Sequence, residues 1–184
     1  MTMHSEYFSL PFPTIELSEI TLREICDYDA QDYFNYMSKA EMRNFLTEAN
    51  SPSTTEQALE KLRYWGGLFR HRRSFYWGIT TNTNKLVGTA GFNTISIQNA
   101  RAEISYDLDP TFWGQGVMLK SIKAIIRFAD GALNLTRIQA TVITDNERSI
   151  KVLERCGFIN KGMLKKYEVI DEVHKDYYMY ARVR

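Results

Sequence analysis

The most constraining feature of this sequence is a turn that joins a strand pattern to an amphipathic helix pattern. Asp109-Pro110 ends the strand pattern, because proline removes a backbone donor and keeps the residue before it extended. Gly114 and Gly116 then flank Gln115 and allow a sharp turn close to a ligand. Apolar residues follow at helical spacing, at Met118, Ile122, Ile125, Ile126 and Ala129. Because the first amides of a helix are free and its dipole is positive there, the sequence predicts a phosphate site.

The two glycines by themselves also fit an ordinary strand-to-helix connection. The segment lacks the Lys-Ser/Thr ending of a Walker loop and the third glycine of a dinucleotide fingerprint. The phosphate site therefore depends on the context that the rest of the chain supplies.

Composition limits the class of protein. The chain has 184 residues, a net charge of +1 and 44% hydrophobic residues, which suits one compact domain over residues 1–184. Near-neutral charge argues against direct nucleic acid binding. Cys26 and Cys156 lack metal or redox spacing, so both are expected to be buried thiols in a reducing compartment. Residues 1–6 do not resemble a leader and no apolar run has membrane-spanning length, so a cytoplasmic protein without a membrane partner is expected.

The predicted order of elements is mixed α/β. In chain order it comprises a strand (20–24), a helix (27–38), one more turn (41–46), a helix toward residue 69, three antiparallel strands (75–80, 86–94, 100–108), the central helix, a strand (136–144), a helix (146–156) and a hairpin (163–170, 175–183). Ser53 and Glu56 have capping-box spacing, and Gly66-Gly67 weakens the helix that follows them. Because a helix connects strands 100–108 and 136–144, these two are expected to be parallel. The basic run 70–73 is interpreted as a solvated helix end or, alternatively, as a patch for an acidic substrate.

This order and three local patterns resemble the GNAT superfamily of acyl-CoA-dependent N-acyltransferases over nearly the whole chain. The first pattern, Phe112-Trp-Gly-Gln-Gly-Val-Met118, is similar to the family's pyrophosphate loop. Trp113 stands where that loop usually has Gln or Arg, and Met118 where it has Gly or Ala, as in the branch of ribosomal-protein N-terminal and polyamine acetyltransferases. The resemblance implies that backbone N–H groups hold the phosphates in spite of these two differences. The resemblance implies one GNAT domain with a central, mixed but mostly antiparallel twisted sheet of about six to seven strands, helices on both faces and a strand splay at the cofactor site.

The second pattern runs from Thr144 to Phe158 and is similar to the family's Asn-x-x-Ala/Ser segment that ends in Gly-Phe. Asn146 and Ser149 are three residues apart and share a helical face. The resemblance implies that Asn146 binds the pantetheine arm of coenzyme A. It also implies that Ser149 protonates the departing thiolate, because Leu153 stands where many members have a tyrosine. The residues alone leave open a helix N-cap for Asn146 and a solvent-facing hydroxyl for Ser149.

The third pattern, Ala102-Glu-Ile-Ser-Tyr-Asp-Leu108, resembles the family's central strand, where the acyl thioester enters a gap between splayed neighbours. An amine attacks a thioester only when it is unprotonated, and α-amines titrate near about 7.7 to 8.0, lysine amines near about 10.4. Glu103 is expected to accept that proton as a catalytic residue, directly or through water. The alternative is that Glu103 is a surface residue that forms an ion pair with Arg101 or with a basic residue of the neighbouring strand. Tyr106 is expected to lie either at the opening of this gap or in the core.

The resemblance implies acetyl-CoA as co-substrate and direct acetyl transfer in a ternary complex, with no metal and no covalent intermediate. The helix start is expected to hold the pyrophosphate, and a backbone N–H near Leu108 to stabilise the oxyanion. The residues expected to bind the cofactor are Tyr106, Leu108, Trp113, Gly114, Gln115, Gly116, Val117, Met118 and Asn146.

The acceptor amine is expected to contact residues 27–69 and 167–174, the segments whose structure the sequence predicts least well. A protein N-terminus is the first expectation, from the resemblance to the ribosomal-protein branch. A small amine such as a polyamine or an antibiotic is the alternative, with Glu41, Glu48 and Asp171 as candidate contacts. A non-catalytic acyl-CoA sensor is a further alternative, although the chain retains its candidate proton-handling groups. The protein is expected to be a monomer or a homodimer.

Overall fold

The strands form one mixed sheet. In the computed structural model, which describes Phe8 and residues 11–47 and 50–184, eight strands are present. They are β1 (Ile15–Glu16), β2 (Ile20–Glu24), β3 (Tyr76–Thr81), β4 (Leu86–Ser96), β5 (Arg101–Leu108), β6 (Arg137–Ile143), β7 (Ile159–Ile170) and β8 (Val173–Val183). Their order is β1-β2-β3-β4-β5-β6-β8-β7, and among these strands only β5 and β6 pair in parallel. The predicted mixed and mostly antiparallel sheet is confirmed. It has eight strands where about six to seven were expected, because the two-residue β1 is too short to give a periodic pattern in the sequence.

Helices cover both faces of this sheet. The described residues contain α1 (Ala30–Met37), α2 (Ala40–Arg43), α3 (Thr55–Arg70), α4 (Val117–Gly131) and α5 (Glu147–Arg155), with short 3-10 turns at Asp27–Asp29 and Pro110–Phe112. Successive residues of β3 point to opposite faces. Tyr76 packs in one buried cluster with α1 and α3, whereas Trp77 packs in another with α4 and Leu153 of α5. Each face of the sheet is therefore covered by a layer of helices.

Local signals fixed several element ends correctly. Gly157 follows α5 with φ of 85°, as expected for the residue after a helix. Asp171 and Glu172 form the turn between β7 and β8 with φ of 47° and 61°. The basic run 70–73 lies at the end of α3 and its side chains are exposed, which supports a solvated helix end.

The expectation that both cysteines are buried holds for one of them. Cys156 is buried as predicted, but Cys26 is only half-buried, because it precedes the 3-10 turn at Asp27–Asp29. Within the described residues, no helix is both long enough and apolar enough to cross a membrane. The expectations placed on residues 1–6 and on Glu48 lie outside the part of the chain that the structure describes.

The capping pair of α3 lies one residue later than predicted. Thr54, not Ser53, is the N-cap, and its hydroxyl accepts a hydrogen bond of 3.3 Å from the backbone N–H of Gln57. The Gln57 side chain accepts 2.8 Å from the backbone N–H of Ser53. The helix continues through Gly66-Gly67, the point at which the sequence predicts it to be weaker, and Gly66 is buried against the core.

Replacing Thr54 by alanine should lower the free energy of unfolding by about 1 kcal/mol, since an orphan donor of the first turn loses its partner. Ser53→Ala is the matched control, because Ser53 is equally exposed and contributes only its backbone. We expect that control to stay within about 0.5 kcal/mol of the wild type. Urea unfolding monitored by circular dichroism measures both, and equal losses would contradict the assignment of the cap.

Candidate active site

A gap opens between two neighbouring strands of the sheet. β5 and β6 pair only where Arg101–Glu103 faces Arg137–Gln139. Beyond these residues β5 continues along β4 to Leu108, while β6 stays paired with β8. The predicted strand splay is therefore present, and the last five residues of β5 have a neighbour on one side only.

Backbone groups of β5 point into this gap. The N–H of Asp109 donates to the carbonyl of Val87 in β4 at 2.8 Å, so alternate residues of β5 direct their backbone toward β4. Tyr106 and Leu108 are out of phase with Asp109 and direct theirs into the gap. The indole N–H of Trp113 donates to the Leu108 carbonyl at 2.9 Å. The N–H of Leu108 and the backbone groups of Tyr106 remain directed at the opening.

A cavity of about 340 Å³ lies at the gap. It brings together nine of the residues predicted to form the site, which are Tyr106, Leu108, Trp113, Gly114, Gly116, Val117, Met118, Asn146 and Ser149. The walls come from β5, the loop before α4, α5 and the segment after α2. The cavity therefore reaches from one face of the sheet toward the other, through the separated strands.

The loop before α4 is shaped by its two glycines. Gly114 and Gly116 have φ of 75° and 77°, in the left-handed region that disfavours side chains, and a Cβ added at either would meet no atom within 4 Å. α4 then begins at Val117, so the first backbone N–H groups of a fifteen-residue helix face this open space. Gln115 does not line the cavity, because its side chain turns back to donate to the Thr111 carbonyl at 2.8 Å.

Basic side chains flank the helix start. Arg148, Lys151 and Arg155 line the cavity from α5. The guanidinium of Arg148 lies 4.7 Å from the centroid of the Trp113 ring, a cation–π contact that connects α5 to the loop. Free amides, two open glycine positions and three cations fit an anionic ligand of the diphosphate kind.

Ser149 lies beside the phenol of Tyr106. Their hydroxyl oxygens are 2.7 Å apart, and the Tyr106 hydroxyl is also 3.2 Å from the Ser149 carbonyl. Burial raises the pKa of Tyr106 above its usual value, so the phenol stays protonated at neutral pH. Asn146 caps α5 by accepting from the Ser149 backbone N–H at 3.1 Å. Asn146 thus has the N-cap role left open by the sequence and lines the cavity as well, whereas Ser149 is half-buried and not a solvent-facing hydroxyl.

Asp107 is a member of the site that sequence reasoning missed. Its carboxylate accepts hydrogen bonds from the Tyr36 hydroxyl at 2.5 Å, the Thr89 backbone N–H at 3.1 Å and the Thr89 hydroxyl at 2.7 Å. Burial raises the pKa of Asp107 to about 6, against the opposing effect of these donors. The residue lines the cavity next to Tyr106. The alternation of β5 separates its side chain from that of Tyr106, but only the covering helix α1 reveals that it is not solvated.

Comparison with known proteins identifies the family. Residues 19–159 match the acetyltransferase (GNAT) domain. The chain belongs to the GNAT acetyltransferase family. It is 33% identical over 174 residues to the uncharacterized N-acetyltransferase YoaA of Bacillus subtilis, which covers 94% of this chain and 98% of that protein.

Two further relatives extend the similarity. The ribosomal protein uS5 alanine N-acetyltransferase of Escherichia coli is 26% identical over 182 residues, covering 94% of this chain and 92% of that protein. The crystal structure of the ribosomal-protein-S5-alanine acetyltransferase from Vibrio fischeri is 27% identical, with a TM-score of 0.81 over 93% of this chain and 96% of that one. The GNAT protein described here is accordingly an acetyl-CoA-dependent N-acetyltransferase.

Glu103 lies outside the cavity of this GNAT protein. It belongs to the part of β5 that pairs with β6, and the Gln139 side-chain amide donates to its carboxylate at 3.3 Å. It is not among the residues that line the cavity. The role of catalytic base stays a prediction for Glu103, and the structure brings a different carboxylate, Asp107, to the opening. Leu153 is fully buried, which agrees with its having no part in proton transfer.

The side of the cavity opposite α5 is apolar. Met42, Phe45 and Leu46, in α2 and the segment after it, line the cavity opposite α5. Phe45 also packs against the small cluster formed by Ile143, Ile170 and Tyr177. The helical segment and the closing hairpin, both predicted to read the acceptor, therefore meet at Phe45. Among the described residues, no group of three or more His, Cys, Asp or Glu side chains is arranged to hold a metal ion.

Proposed function

We propose that this enzyme acetylates the α-amine at the N-terminus of a polypeptide, by direct attack within a ternary complex. Acetyl-CoA supplies the activated acetyl thioester. The α4 start and its loop, residues 115–118, hold the diphosphate through backbone N–H groups, with Arg148, Lys151 and Arg155 close by. The backbone of Tyr106 pairs with the pantetheine arm as an added strand would.

Proton handling and charge stabilisation fall to two groups at the gap. The Leu108 N–H donates a hydrogen bond to the carbonyl oxygen as negative charge develops on it. The Ser149 hydroxyl gives its proton to the departing sulfur and is held in place by the Tyr106 hydroxyl 2.7 Å away. Positioning of both reactants across the open strands supplies much of the rate.

The charge of the cavity supports a singly charged acceptor. The observation that carries the proposal is that one acidic side chain, Asp107, lines it, among the described residues, against the three basic side chains of α5. A polyamine carries several cations and would meet a single acidic side chain there, whereas an N-terminus brings one cation. An α-amine, with a pKa near about 7.7 to 8.0, also loses its proton more readily than a lysine. Two relatives named as alanine acetyltransferases of a ribosomal protein also support a polypeptide acceptor.

A substrate panel tests the proposal. Thiol release from acetyl-CoA is followed with a chromogenic reagent in the presence of peptides that begin with alanine or serine, of the same peptides already N-acetylated, of spermidine and of lysine. We expect turnover with the free peptides and none with their acetylated forms. Turnover with spermidine alone would overturn the choice of acceptor. Tight coenzyme A binding without turnover of any amine would favour the non-catalytic sensor.

A further inference from the structure

Asp107 is a half-buried carboxylate that the proton handling above leaves without a role. It lies on β5 between Tyr106 and Leu108, the two residues whose backbone faces the gap. Because successive side chains of a strand point to opposite faces, Tyr106 reaches Ser149 on one side of the sheet and Asp107 reaches Tyr36 on the other. The donor's sulfur and the incoming amine therefore have separate polar groups, one on each side of the open strands.

The carboxylate of Asp107 is fixed but not neutralised. Three donated hydrogen bonds, from Tyr36 and Thr89, hold both oxygens and leave acceptor capacity on Oδ2. Among the described residues no Lys or Arg forms a salt bridge with it. Lys61 of α3 is the cation whose charge acts on it, but its ammonium donates to the Asn50 side chain at 2.8 Å. A half-buried carboxylate that lines a cavity and has no paired cation can bind the cation of a ligand.

The other groups that face Asp107 are neutral at physiological pH. Tyr33 and Tyr36 approach from α1 and Tyr76 from β3, and burial raises the pKa of each phenol above its usual value. Thr89 approaches from β4. The pKa of Asp107 is thus set by its burial and by the hydrogen-bond donors around it. Among the described residues, Lys61 is the one titratable cation that affects this pKa.

We propose that Asp107 binds the ammonium of the acceptor and takes a proton from it, which makes Asp107 the catalytic base of this enzyme. This inference rests on the proposed function of the cavity. The ammonium nitrogen gives one proton to the carboxylate and attacks the thioester carbon, which forms the C–N bond and a tetrahedral oxyanion. The C–S bond breaks when this intermediate collapses. The second proton of the nitrogen replaces the one that Ser149 gives to the sulfur. Asp107 then returns its proton to solvent, and the products are the amide, the thiol and one released proton.

The acidity of the two partners suits this transfer. The pKa of Asp107, raised to about 6 by burial, lies about 2 units below that of an α-amine, whereas an ordinary aspartate lies about 4 below. Asp107 is still largely ionised at pH 7 and can receive the ammonium. Proton transfer is most effective when the acidities of donor and acceptor are close.

The pH dependence of kcat/KM tests the inference on whichever amine the wild type acetylates. The wild type needs ionised Asp107 and a protonated amine, so kcat/KM should rise through about pH 6 and fall above the amine's pKa, near about 8 for an α-amine. Asp107→Asn should lower kcat/KM at pH 7 at least about tenfold. Its profile should become a single rise toward the amine's pKa, because only the free amine then reacts.

Tyr36→Phe provides a control that a merely structural role would not mimic. It removes one donor that lowers the pKa of Asp107, so the acid limb should move to higher pH. An unchanged bell-shaped profile in Asp107→Asn would overturn the inference, provided circular dichroism shows the native fold.

Two measurements do not depend on turnover. The carboxyl ¹³C resonance of Asp107 should titrate near pH 6 in the protein without substrates. With coenzyme A present, calorimetry should show that the free peptide binds more tightly than its N-acetylated form to the wild type but not to Asp107→Asn. Equal binding of both peptides to the wild type would contradict ammonium recognition by Asp107. Turnover of spermidine alone would contradict the polypeptide acceptor and leave the role of Asp107 to be decided by the pH profiles with spermidine.

Discussion

Replacing Ser149 by alanine is expected to lower kcat about 100-fold while the Kd for coenzyme A changes less than twofold. General acids contribute about 10² to 10⁴ in rate, and a thiol with a pKa near about 8.5 is a good leaving group, which places the loss at the lower end of that range. The fold should tolerate the change, because the Asn146 side chain is bonded to the backbone N–H of residue 149 and not to its hydroxyl. Steady-state kinetics at saturating acetyl-CoA and calorimetry with coenzyme A measure the two quantities.

Tyr106→Phe is the matched comparison for this change. It removes the 2.7 Å contact to the Ser149 hydroxyl but leaves the hydroxyl itself in the cavity. We expect a smaller loss of kcat than in Ser149→Ala, because the acid is present but less firmly held. An unaltered kcat in Ser149→Ala would remove Ser149 from the mechanism and leave the sulfur to be protonated by water.

Replacing Gly116 by alanine is expected to weaken coenzyme A binding about 5- to 30-fold. The residue has φ of 77°, and a side chain in that conformation costs about 1 to 2 kcal/mol. The free protein would then favour a different loop conformation, so the one that directs the first amides of α4 at the ligand would be less populated. The Kd measured by calorimetry should rise, with kcat at saturating acetyl-CoA affected much less.

Gly131→Ala serves as the control at the other end of the same helix. A Cβ at Gly131 also meets no atom within 4 Å, but its φ lies outside the left-handed region. We expect an unchanged Kd there. If both variants bound coenzyme A like the wild type, the loop before α4 would not be the diphosphate site.

Most of the architecture could be predicted from the spacing of apolar residues and from the glycines and prolines that end the elements. The alternation of β5, the helical spacing of α4 and the parallel crossover between β5 and β6 depend on residues close in the chain, and each was predicted correctly. The cap of α3 was misplaced because Ser53 and Thr54 are chemically equivalent as caps, and only the backbone geometry distinguishes them.

The carboxylates of β5 show where sequence reasoning stops. Asp107 and Glu103 lie on the same face of one strand, and the sequence singled out Glu103. The difference between them is made by distant residues. Tyr36, 71 positions away, covers Asp107, whereas Glu103 meets Gln139 across the paired end of the strands. Burial of this kind is a property of the tertiary fold, and no local pattern encodes it.

The splay between β5 and β6 also has a mechanical consequence. Three residue pairs join these strands, whereas eight join β4 to β5 and seven join β6 to β8. The opening is therefore a built-in feature of the sheet: no ladder pair has to break to create it, while one buried cluster with residues of β3, β4, β5 and β6 holds the two halves together. A long thioester arm can thus lie between the separated strands while an amine approaches from the other face, without partial unfolding of either half.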